Sequence, residues 1–139
     1  MAITQKYTLM CDDIRQENNG KFIIIGLYTP NIVVPQVPFV LPSLAFFQVV
    51  ECDRPGAFTV RMRLEHMDSG KKLVEGMGML NIERPGMGVN AIRFGGVQFP
   101  GIGGYQYVVK IEDERDPVIF NFDVVIGVPV PQQIPPQHS

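Results

Sequence analysis

Residues 99–112, FPGIGGYQYVVKIE, restrict the fold of this chain more than any other stretch. Gly101, Gly103 and Gly104 crowd into a corner, and the residues after it alternate. Tyr105, Tyr107, Val109 and Ile111 fall on one face, with Gln106, Val108, Lys110 and Glu112 on the other. A period of two is the mark of a half-buried strand. A glycine corner with a Tyr just inside the next strand recurs in immunoglobulin-like sandwiches, where the hydroxyl ties the strand back to the turn before it. Tyr105 is therefore expected to be a structural tie, with Gly104 at the corner and Gly20 at the first turn as the other structural positions.

The same rule reads most of the chain as strands. Residues 5–11 form the first, ended by the polar run DDIRQENNGK, in which Asn19-Gly20 signals a turn. Residues 22–28, FIIIGLY, are apolar on both faces and predict a central strand. Between them and a buried strand at 44–51, prolines 30, 35, 38 and 42 allow an edge strand but not a central one, because each removes a ladder donor. Residues 57–66 alternate with Phe58, Val60, Met62 and Leu64 inward. After the turn at Asp68-Ser69-Gly70, residues 72–83 put Gly76 and Gly78 on the face of Val74, Leu80 and Ile82, which predicts close approach by a bulky side chain of another sheet. Residues 89–98, 105–112 and 117–126 complete the set, the last with Val118, Phe120, Phe122, Val124 and Ile126 inward. The predicted core is Phe58, Val60, Met62, Leu64, Tyr105, Tyr107, Val109, Phe120, Phe122 and Val124. No helical period and no internal repeat is found. The reading is an all-β antiparallel β-sandwich, immunoglobulin-like or C2-like, of about eight or nine strands, with a closed barrel as the alternative.

At 139 residues one domain is expected, a sandwich over 1–127 followed by a Pro-rich extended tail over 128–139, VPVPQQIPPQHS. In that tail Val130 and Ile134 are the apolar anchors for a partner. Twelve basic against fourteen acidic residues, in no long like-charged block, argue against nucleic acid as a partner. The N-terminus lacks the apolar region of a secretory signal, and no window reaches the length of a membrane span, so a cytoplasmic setting is expected, or assembly into a phage particle. Cys11 and Cys52 are read as two thiols rather than a disulfide framework.

Catalytic sets fail on spacing. His66 and His138 are the only histidines, one ending an alternating strand and the other in the tail, so no Ser-His-Asp, Cys-His or zinc arrangement assembles. The chain is read as a non-enzyme with no cofactor. Gly101-x-Gly103-Gly104 opens a strand rather than a phosphate-binding helix. The acids are more informative. If every strand crosses the domain once, the loops at 12–20, 53–56, 84–88 and 113–117 share one end, which gathers Asp12, Asp13, Asp53, Asp113 and Asp116. Carboxylates converging on sandwich loops are a Ca²⁺ arrangement. The plainer reading is a solvated end where Arg15, Arg54, Arg84 and Arg115 pair with them.

The run CDDIRQENNGKFIIIGLY, residues 11–28, resembles the N-terminal signature of an uncharacterised bacterial family of unknown function, whose members carry Cys-Asp-Asp, an Arg, a Glu, Gly-Lys and an apolar Gly-Tyr strand. The likeness is clear over 7–28 and weaker through LPSLAF. It implies a bacterial or phage setting and supports the fold, and it brings no activity. The functional expectation is a non-catalytic sandwich acting by protein–protein contact, as an accessory or assembly domain of a bacterial or phage particle, with a protein partner or self-assembly into a homo-oligomer. A Ca²⁺- or ligand-binding module at the acidic end is the alternative.

Overall fold

A computed structural model describes residues 3–112 and 114–128. Among them nine strands and no helix are found: β1 Ile3–Gln16, β2 Phe22–Leu27, β3 Asn31–Val34, β4 Phe39–Cys52, β5 Gly56–His66, β6 Lys72–Ile82, β7 Gly86–Phe99, β8 Gly103–Ile111 and β9 Val118–Ile126. They form a four-stranded sheet ordered β2-β1-β4-β7 and a five-stranded sheet ordered β3-β9-β8-β5-β6. The all-β sandwich expected from the alternation is therefore present. All pairings are antiparallel except β3 with β9, which run parallel. No helix among the described residues is long and apolar enough to cross a membrane.

The core lies between the sheets and is aromatic. Phe46 of β4 stacks on Tyr107 of β8, centroids 3.9 Å apart and planes 6° from parallel. Phe94, Phe120 and Phe122 close around that pair. Nine of the ten predicted core residues are buried; Phe120 is only partly so. The cause is strand length. β3 pairs with β9 only from Asp123 to Ile126, leaving the first half of β9 without that neighbour. Ile126, expected inward, is exposed. Gly76 behaves as read: a Cβ there would sit 3.2 Å from Ile92 and 3.5 Å from Phe94, both on β7 of the facing sheet.

Two strand assignments need correction. β2, expected at the centre of a sheet, is the edge of the four-stranded one. Two apolar faces do not require two strand neighbours, because only one face of β2 is covered. Phe22 pairs with Gln16, seven residues along β1 from the Leu9 that pairs with Phe47. On a straight ladder those sites would lie about 23 Å apart, yet the Phe22 and Phe47 rings meet at 5.0 Å. The tip of the β1–β2 hairpin therefore folds back over the outer face of its own sheet. That second layer explains why Cys11, Ala45, Phe47 and Val49 are buried on the side away from the main core. Gly20, with φ +90°, makes the turn at the tip, where its N–H donates to Glu17 at 2.9 Å.

The second correction concerns prolines. β3 is an edge strand as expected, but β4 begins at Phe39 and runs through Pro42. The β1 ladder stops at Ala45, so at Pro42 the strand has only β7 beside it and the missing donor costs no ladder bond on the β1 side.

Candidate binding surfaces

Of the five predicted calcium ligands, the four among the described residues do not share a site. Ile3 pairs with Cys52, so Asp53 lies at the end of the sandwich where β1 begins. Asp12 and Asp13 lie within β1, which continues past the predicted stop at Cys11. Asp12 is nine residues beyond Ile3, a distance of about 30 Å along the strand. Asp116 sits in the 112–117 turn near the β1 start, where Glu114 accepts a 2.5 Å hydrogen bond from the Ile3 N–H. Asp113 lies outside the described residues, as do Val130 and Ile134 of the tail. No group of three or more His, Cys, Asp or Glu among the described residues is placed to hold a metal.

Asp12 and Asp13 instead brace the hairpin where it bends. Asp13 takes Arg15 at 2.9 Å and Arg93 of β7 at 3.2 Å, and accepts the Ile14 N–H at 2.9 Å. The Arg15 hydrogen bond, then the Ile14 N–H, holds its carboxyl below the usual carboxylate range. Asp12 accepts the Tyr28 hydroxyl at 2.5 Å, and burial, reinforced by that carboxylate, pushes the Tyr28 phenol up. Cys11 and Cys52 are both buried free thiols, each pushed up chiefly by burial. That environment keeps them protonated and unreactive.

The glycine corner is a structural joint. The Tyr105 hydroxyl donates to the Gly101 carbonyl at 2.5 Å. The left-handed backbone of the corner falls on Gly103, with φ +108°, while Gly104, expected at the corner, pairs with Asp123 as an ordinary strand residue. His66 completes the joint. Its Nε2 donates to the Ile102 carbonyl at 3.0 Å, and its Nδ1 lies 2.8 Å from the Ser69 hydroxyl, so the ring clamps the β5–β6 turn to the corner. The signal for this is the alternation of 57–66, which carries His66 inward with Leu64.

Tyr105 and Tyr107, two residues apart on one face, make an informative pair. Tyr107 is buried and its hydroxyl has no hydrogen-bond partner among the described residues. The same loss of one oxygen should thus have opposite signs. Tyr105→Phe should destabilise by about 1 kcal/mol, the usual net worth of a hydrogen bond, whereas Tyr107→Phe should stabilise by about 1 kcal/mol because it removes an unpaired buried hydroxyl. Urea midpoints of the two variants check this, and midpoints moving the same way would contradict it.

Two surfaces remain that no structural duty absorbs. One is the outer face of β6-β5-β8, where a groove of about 610 Å³ is lined by Arg61, Arg63, Lys72, Glu75, Met77 and Lys110, among others. A smaller recess of about 240 Å³ beside it is lined by Thr59, Arg61, Lys110 and Glu112. The other is β2, whose Ile23, Ile25 and Leu27 are 45%, 43% and 53% exposed on a sheet edge that no other strand among the described residues pairs with.

A family model described as a family of unknown function (DUF6941) matches residues 6–119, well over half of the chain. This chain belongs to the DUF6941 family. The match runs from β1 to the start of β9, so it covers the folded-back hairpin and the groove, and it includes all of residues 11–28. No curated protein matches this DUF6941 chain. Among solved structures it is similar to the β-glucosidase EmGH1 of Erythrobacter marinus, at 11% identity and a TM-score of 0.53 over 89% of this chain and 15% of that one. It is also similar to a β-glucosidase of Listeria innocua in complex with isofagomine, at 10% identity and a TM-score of 0.50 over 90% of this chain and 16% of that one. The chain thus spans less than a fifth of those enzymes, and at such identity the likeness concerns the fold alone.

Proposed function

We propose that this DUF6941 domain is a non-catalytic module that works by protein–protein contact, as an accessory or assembly domain of a bacterial or phage particle. The observation that carries the reading is β2. Soluble proteins blunt sheet edges with charges or prolines, because an open edge is a template for another strand. β2, FIIIGL, has neither, and it presents three exposed apolar side chains beside an edge left unpaired among the described residues. Such an edge recruits an extended strand through main-chain hydrogen bonds, with alternate side chains giving specificity. The non-catalytic part is supported by His66, whose two ring nitrogens are both engaged in the corner joint.

The occupant proposed for β2 is the β2 of a second copy, paired antiparallel to give one continuous sheet across a twofold axis, since an edge of this kind is self-complementary. Sedimentation of the whole chain should show concentration-dependent self-association, and Ile25→Lys should abolish it while leaving the melting temperature within a degree or so of the parent. A parent that stays monomeric at high micromolar concentration, or an Ile25→Lys variant that associates as well as the parent, would overturn the reading.

A further inference from the structure

We propose that the groove on the outer face of β6-β5-β8 is a binding site for a compact dianion, best matched by the phosphate monoester group of a small organic ligand. The groove lies on the other sheet from β2, so it stands apart from the contact reading. Its basis is an unfavourable pairing: Arg61 of β5 stands directly opposite Lys110 of β8 in the antiparallel ladder. Like charges facing each other across strands destabilise a sheet, and among the described residues neither of the two is in an ion pair. The other cations of the groove are each matched, Arg63 with Glu65 at 3.2 Å and Lys72 with Glu75 at 3.2 Å. Glu112, just past the end of β8, accepts the Thr59 N–H at 2.9 Å and lines the smaller recess with Arg61 and Lys110 without an ion pair to either among the described residues. Among the described residues Arg61 has no ion pair, and the Lys110 ammonium is held only by the carbonyls of Glu114 at 2.6 Å and Arg115 at 2.8 Å.

Among the described residues the groove therefore holds two cations without an ion pair on neighbouring strands, in a protein whose net charge is −2. A single group bearing two negative charges neutralises both. A phosphate monoester carries roughly −1.5 to −2 at neutral pH and offers three acceptor oxygens, which suits a guanidinium fork on one side and an ammonium on the other. Met77, opposite Arg61 in the β5–β6 ladder and 68% exposed, supplies a flexible apolar wall for the organic part. The volume is that of a small-molecule site. A nucleic-acid strand fits less well, because Glu65, Glu75 and Glu112 flank the cations and no aromatic ring on this face offers stacking.

Inorganic phosphate is the first probe. Titrated at constant ionic strength, it should shift the backbone resonances of residues 61, 77 and 110 saturably at up to tens of millimolar and raise the melting temperature, since it binds only the folded state. Arg61→Gln and Lys110→Gln should each weaken it at least about tenfold. Without phosphate, Arg61→Gln should melt no lower than the parent, because the substitution relieves a like-charge pair; this separates lost binding from lost folding. Malonate in a parallel titration distinguishes a dicarboxylate ligand, and tighter binding of malonate than of phosphate would overturn the phosphate assignment. No saturable shift with phosphate, or shifts unaltered by both variants, would overturn the site.

Discussion

Phe46→Ala should lower the free energy of unfolding by about 3–5 kcal/mol, the range for deleting a fully buried aromatic ring and leaving a partly relaxed cavity. Phe46 has no solvent exposure and touches Phe94, Tyr107, Phe120 and Phe122, so it joins the two sheets at their centre. Its stacking on Tyr107 adds about 0.5–1.5 kcal/mol beyond area burial. Phe120→Ala, by contrast, should cost clearly less, because β3 does not reach that part of β9 and the ring is already partly solvated. Urea denaturation of both variants settles the order. A Phe120 penalty equal to that of Phe46 would mean that the open half of β9 is better covered than its pairing indicates.

His66→Ala should cost about 2–3 kcal/mol, more than an exposed strand residue, since it removes the hydrogen bonds to the Ile102 carbonyl and the Ser69 hydroxyl together with a buried ring. It also removes the ring packed 4.6 Å from Tyr105. The damage should be local. Amide exchange should quicken at Met67, whose N–H is bonded to the Gly104 carbonyl at 2.9 Å, and along 101–105, while the β1–β4 ladder keeps its protection. An unchanged denaturation midpoint would show that the corner is held by Tyr105 alone.

The β2 edge and the Arg61–Lys110 groove sit on different sheets, so the experiments on them fail separately. Loss of self-association in Ile25→Lys says nothing about phosphate, and loss of phosphate binding in Arg61→Gln leaves the β2 edge intact. If both hold, the domain has an apolar assembly face and an opposing anion-reading face.

Features local to a strand are legible in the amino-acid order alone. Alternation over 57–66 and 105–112 assigns each side chain to a face, Asn19-Gly20 marks the first turn, and Gly76 announces the approach of the facing sheet. These signals depend on residues i and i+2, whose relation is set by the backbone pleat. Which strands are neighbours, and in what register, emerges only from three-dimensional packing. FIIIGL reads the same at a sheet centre or at an edge that folds back on its own sheet, so the bend of the β1–β2 hairpin leaves no local trace. Asp12 and Asp13 group with Asp53 only if the loops after β1 and β4 share an end, and no local period reveals that β3 adds a crossing, so that β4 runs against β1 with Cys52 opposite Ile3. The pairing of Arg61 with Lys110 joins residues 49 apart in the chain. Each is legible as an outward-facing cation, but only the register of β5 on β8 sets the two charges opposite each other, because ladder pairing is fixed by the packing of the whole core and not by the strand that carries the charge.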